Sequence, residues 1–331
     1  MIERAPYGRQ TPTVRDLQAP VPYQGETYYG QSAIKPSHYG QLVASYLFVG
    51  GLAGASAMIA TVADLCGTEE DGAIVRAGRY VALAGVLTGP MFLIADLQTP
   101  QRWYNMLRIF RPTSAMSIGS WTLTLFGATT ALTGAAQVMT DRTGSPLYRY
   151  AARCFGVLAA TLGCVAATYT GTLLAATSNP FWARGSRFLP ALFGLSATTT
   201  ATAALSLAAH LQQTPRGTQR RLERLALIAE GAELLLTTTI EHRWEREKLS
   251  IPLKEQPIAQ AYRGYKRLGV AAPLIIHGLR LLTRRRRSKG WSIAAAVATL
   301  AGGYILRSVI LSAGKASARR PEDYFRFTQP S

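Results

Sequence analysis

Four side chains with acid–base or charge chemistry sit at the ends of apolar segments: His38, Asp96, Arg102 and Tyr169. Histidine and tyrosine each donate and accept hydrogen bonds, a carboxylate relays protons, and a guanidinium holds negative charge. Together they suit a quinone head, whose two carbonyl oxygens need hydrogen-bonding partners and whose electrons travel with protons. A second group lies deeper in apolar sequence. Glu230 and Glu233 share one helix face at i, i+3, Arg307 is placed to pair with either, and His277 and Arg280 are further candidates. An acid with a basic partner at membrane depth serves a proton path or a structural tether.

The elements that must position these groups are membrane helices. Only 16% of the 331 residues are charged, against about 25% in soluble domains. The mean hydropathy is a modest +0.09 because the apolar runs are rich in Ala, Gly, Thr and Ser, which let membrane helices pack closely. Residues 39–63, 112–140, 154–183 and 188–215 contain no Asp, Glu, Lys or Arg. Residues 76–95, 221–244, 263–282 and 290–313 are less clean but long enough, which gives eight spans in an all-α chain. The spacing Gly50 to Gly54 would let the first helix approach a neighbour closely.

Eight spans put both termini on one side, face A, along with His38, the Asp96–Arg102 region and Tyr169. The most basic loop, residues 283–289, falls on the opposite side, face B. Short Lys/Arg-rich loops are cytoplasmic as a rule, so the termini are expected outside. The net charge of +18 is spread between apolar runs, which fits lipid headgroups better than nucleic acid. Cys66, Cys154 and Cys164 are scattered without metal-ligand spacing and read as core filler. His210 and His242 end consecutive helices on opposite faces, so a bis-histidine haem is not expected. Between Asp96 and helix 3, Thr99 is expected to cap, and Pro100 to open, an amphipathic helix ending at Pro112. It would place Trp103, Leu107 and Phe110 on one stripe and Arg108 and Arg111 on another.

Several segments resemble one family: YLFVGGLAGASAMIA (46–60), ADLQTPQRWYNMLRIFRPTSAMSIGSW (95–121), YTGTLLAATSNPFW (169–182), LPALFGLSA (189–197) and GGYILRSVILSAG (302–314). Together they are similar to the NrfD/polysulfide-reductase membrane subunits. The resemblance implies two four-helix bundles, residues 38–183 and 184–315, flanked by polar tails at 1–37 and 316–331. It implies a menaquinone or ubiquinone head bound near the periplasmic face of a bacterial inner membrane, and no haem or iron–sulfur cluster in this chain. By position, His38 and Tyr169 would contact the head, and Asp96 and Arg102 would supply the acid and cation beside it. The implied partners are a ferredoxin-like iron–sulfur subunit and, beyond it, a molybdopterin or multihaem cytochrome subunit. Two other functions stay open: a passive membrane anchor, and a proton-translocating subunit of an alternative complex III-like assembly using Glu230, Glu233 and Arg307.

Overall fold

A computed structural model describes residues 34–247, 249–283 and 289–328. Most of the expected polar N-terminal tail and most of the basic 283–289 loop lie outside the described residues. Among the described residues there is no strand. The long helices are α1 (Gln41–Cys66), α2 (Gly72–Ala95), α3 (Ala115–Thr143) and α4 (Pro146–Ala175). After the short α5 (Pro180–Arg184) come α6 (Leu189–Leu211) and α7 (Arg216–Arg246). Two short helices follow, α8 (Ile251–Lys254) and α9 (Ile258–Gly264). The chain then runs from α9 through a π-helical segment, Tyr265–Ala271, into α10 (Ala272–Thr283), which makes one long composite helix. It ends with α11 (Lys289–Ala318) and α12 (Pro321–Thr328).

All eight sequence-predicted segments are therefore helical. Five of the helices, α1, α2, α4, α6 and α11, are long and apolar enough to cross a membrane on length and composition alone. Local chemistry explains several ends. Ser114 accepts a hydrogen bond from the Ser117 amide at the start of α3, and Asn179 does the same for Phe181 at α5. Gly144 closes α3 in the left-handed conformation, with φ +66°. Pro146 opens α4, where its missing N–H is not needed.

Helices α1 to α4 pack in a ring, each touching its two neighbours, and α6, α7, the composite helix and α11 form a second ring. The rings meet where α1 and α4 lie against α6 and α1 lies against α11. Small residues permit this closeness. A Cβ on Gly54 would run into the backbone carbonyl of Gly163, so α1 and α4 touch backbone to backbone there. Gly50, the other half of the expected pair, meets only its own helix's Tyr46. Gly54→Val should lower stability by about 3 kcal/mol, the upper end of overpacking costs, because backbone cannot move aside as a side chain can. A drop in the thermal midpoint of the detergent-solubilised protein would report it.

The short α5 fastens the two rings at face A. Trp182 is fully buried, its Nε1 donates to the Ile310 carbonyl at 2.9 Å, and Asn179 donates to the Gly314 carbonyl at 2.7 Å. Phe181 stacks on Trp244 with ring centroids 4.2 Å apart. The three cysteines are exposed, which corrects the expectation that they fill the core. On a helix facing acyl chains, a small apolar side chain gains as much from the lipid side as from the interior.

Candidate functional site

The face-A end of the first ring gathers most of the expected residues. His38 lies just before α1, Asp96 caps the C-terminus of α2, and Tyr169 sits in the last two turns of α4. His38 and Lys315, from the end of α11, are the cations within electrostatic reach of Asp96. Gly40 brings the α1 backbone against Asp96: a Cβ there would lie 3.7 Å from Oδ1. Burial lifts the Asp96 carboxyl above the usual carboxylate range, with Lys315 and His38 opposing the rise. Burial likewise raises the Tyr39 phenol, and the nearby Asp96 charge adds to it.

The half-buried Tyr169 donates to the carbonyl of Ala115, the first residue of α3. Its ring lies on Gly119, where no Cβ would fit. Tyr39 and Tyr46 both lie within electrostatic reach of Tyr169, and Tyr39 also reaches Asp96. His38, Tyr39, Asp96, Tyr169 and Tyr46 are thus linked through electrostatic reach at the face-A end of the first ring. Arg102 is placed differently. It occupies a non-helical kink, with φ −103° and ψ 15°, its side chain is exposed, and among the described residues it makes no ion pair. Pro100 does open a helix, but it is a 3-10 helix that ends at Leu107, and Thr99 makes no side-chain cap. The expected amphipathic helix to Pro112 is therefore shorter and tighter than its sequence pattern suggests.

That 3-10 helix roofs an apolar crevice of about 300 Å³ between α2 and α3. Leu93 and Pro90 line one side, Leu123 and Gly127 the other, and Trp103 and Met106 the top. Leu93 and Ile94, on its wall, lie within one turn of Asp96 at the end of α2. The volume sits at the lower end of ligand pockets, roughly 300–1,000 Å³. An apolar slot beside a patch of donors and acceptors fits a flat dicarbonyl ring carrying a hydrocarbon tail. Sequence reasoning passed over Tyr39, Tyr46, Gly119 and Lys315. Tyr39 and Tyr46, at the entrance and in the second turn of the first apolar run, carried a signal; the other two depend on which helices meet.

A second polar group occupies the interior of the second ring. Glu230 is 2% exposed; its Oε2 lies 2.9 Å from His277 Nδ1, and it accepts from Thr299 at 3.4 Å. Glu233, also 2% exposed, accepts from Thr199 and from Tyr265, each at 2.8 Å. Arg307 is buried and lies within electrostatic reach of Glu233, but it forms no direct ion pair with either acid. It donates instead to Ser196 Oγ and to the carbonyls of Gly303 and Phe193. Arg280 pairs with Glu223, about two turns closer to face B than Glu230. His210 bonds Ser292, and His242 is exposed beside Glu245. Among the described residues no three His, Cys, Asp or Glu side chains come together as a metal site.

Compared with known proteins, the chain matches the family described as polysulphide reductase, NrfD, over residues 32–318. No curated protein matches it.

Proposed function

Because the chain belongs to the NrfD polysulphide reductase family, we propose that its first ring is the quinone-exchanging site of a respiratory oxidoreductase. The observation that carries this is the polar patch of His38, Tyr39, Asp96 and Tyr169 beside the apolar crevice of α2 and α3. In this reading the chain is a multi-pass subunit of a bacterial inner membrane, with face A periplasmic. Its partner there is a ferredoxin-like iron–sulfur subunit, which passes electrons to or from a molybdopterin or multihaem subunit. The exposed Arg102, Arg108 and Arg111 give that rim a positive edge for docking.

A bound menaquinone or ubiquinone supplies two-electron, two-proton chemistry. The chain's own residues hold and move protons. Tyr169 is oriented by the Ala115 carbonyl and by Gly119 beneath its ring. His38 presents an imidazole at the rim, able to donate or accept. Asp96 is a carboxylate in a partly desolvated position within electrostatic reach of His38, to which a bridging water would relay its proton outward. The crevice walls exclude water from the tail side.

The test uses duroquinol and the complex purified through this chain. His38→Ala and Tyr169→Phe, made singly, should each slow quinol-dependent turnover about tenfold, the equivalent of 1.4 kcal/mol. Unchanged rates in both, with the partner subunits still bound, would show the chain to be a passive anchor. Asp96 gives a separate signature. Its carboxyl must be ionised to accept a proton, so turnover should rise with pH, through an inflection above about 3.9, the ordinary aspartate value. Asp96→Asn should flatten that limb, and the pH–rate profile checks it.

A further inference from the structure

We propose that the face-B end of the seam between the rings binds one anionic phospholipid, its phosphate on Arg221 and one acyl chain in the crevice beneath. That crevice has a volume of about 370 Å³ and lies at the opposite face from the tyrosine site. Its walls are apolar, with Met58, Ile59 and Val62 of α1 facing Leu222 and Leu225 of α7. Polar groups line it only toward face B, where Asp71, Thr218 and Arg221 meet. From Met58 to Cys66, both on its wall, α1 rises about 12 Å at 1.5 Å per residue. That is most of one leaflet's half of the roughly 30 Å hydrocarbon core. Val62 is 62% exposed, so the crevice is open on its lipid side.

Arg221 is braced for an anion. Its Nε and Nη2 donate to Asp71 Oδ1 at 3.2 and 2.9 Å, and Nη2 also donates to Thr68 Oγ1 at 3.1 Å. Asp71 is buried and accepts from the Thr218 hydroxyl at 2.8 Å and from the Thr68 amide at 3.0 Å. Among the described residues Arg221 Nη1 has no partner, and the side chain is 47% exposed. A guanidinium held along one edge offers its other donors to a phosphate oxygen. Charge selects the headgroup. Arg216, Arg220 and Arg224, at the same end of α7, are exposed and make no ion pair among the described residues. With Arg221 they stand against Glu69, Glu70 and Asp71, which leaves one positive charge in excess. A phospholipid with an uncharged headgroup carries one negative charge, whereas a choline lipid is neutral overall. The exposed stripe of Arg220 and Arg224 turns apolar at Ile228 and Leu235, as the bilayer does between headgroups and chains. No His or Tyr lines the crevice, so a quinone head would find neither its hydrogen-bonding partners nor a use for the charge.

The lipid site is independent of the quinone site, and its test is too. The full-length chain is delipidated in detergent and titrated with dioleoylphosphatidylglycerol or dioleoylphosphatidylcholine, with native mass spectrometry as the readout. One phosphatidylglycerol per chain should stay bound, about fivefold more tightly than phosphatidylcholine, the worth of one arginine beside an anionic headgroup. Arg224→Gln changes an exposed side chain and should remove most of that preference. Leu225→Trp puts an indole into the crevice and should release both lipids. Should that variant fail to fold, Val62→Trp fills the same space from an exposed position and should do likewise. Equal affinity for the two lipids would overturn the proposal, as would unchanged phosphatidylglycerol binding in a folded tryptophan variant. Displacement of the lipid by decylubiquinone would overturn it as well, because it would make the crevice a second quinone site.

Discussion

Replacing Gly119 with valine should lower quinol-dependent turnover about 100-fold, the scale of a misplacement near 1 Å at a reacting centre. The mutation touches no polar atom. A Cβ at Gly119 would occupy the space of the Tyr169 ring edge and hydroxyl. The phenol must then leave the Ala115 carbonyl. The rest of the first ring has no reason to unfold, because Tyr169 is only half buried and can swing outward. Insertion and partner binding should therefore persist while turnover collapses. Tyr169→Ala in the Gly119→Val background should add little further loss, since the ring is already displaced. Measuring both in the purified complex separates a positioning role for Gly119 from simple destabilisation.

The second large effect concerns Arg307. Arg307→Met should destabilise the protein by about 3–5 kcal/mol, the range for breaking a buried charge network by removing one member. The side chain is 1% exposed and donates to Ser196, Gly303 and Phe193. Its loss leaves those acceptors and the neighbouring Glu233 without their cation. Arg307→Lys should recover little, because an ammonium cannot reach three acceptors arranged for a planar fork. The double variant Arg307→Met with Glu233→Gln should recover much of the loss, since no uncompensated charge is left. Thermal midpoints of the four proteins in the same detergent form the cycle.

The helices were legible in the sequence because a membrane-crossing segment is written continuously. Runs such as 39–63 carry no charge, and turns and prolines mark their ends. Alternation of spans then placed His38, Asp96 and Tyr169 on one face, and in the structure His38 and Tyr39 lie within electrostatic reach of Asp96, and Tyr39 within reach of Tyr169. What the sequence left open was helix phase. Whether Glu233 turns to Arg307 or to Tyr265 depends on the rotation of α7 and on the π-helical segment, which adds an extra residue to the turn. No local pattern announced that segment. His277, at first only a candidate, became the partner of Glu230 for the same reason. The crevice was hidden too. It exists because the Pro100–Leu107 helix is tight and short, a choice between helix types that depends on its contacts with α2 and α3.

The latch made by α5 has a consequence for traffic. Indole, carboxamide and stacked rings tie the exit of α4 to the last turns of α7 and α11, so the two halves of the molecule cannot swing apart on that side. Under the proposed function, a greasy carrier would then arrive and leave sideways through the wall between α2 and α3, under the tight turn bearing Trp103. Exchange with the membrane pool would be paced by lateral diffusion and by the wobble of one small roof. A disulfide or bulky label pinning that roof should trap a carrier, and the same modification on α6 should not.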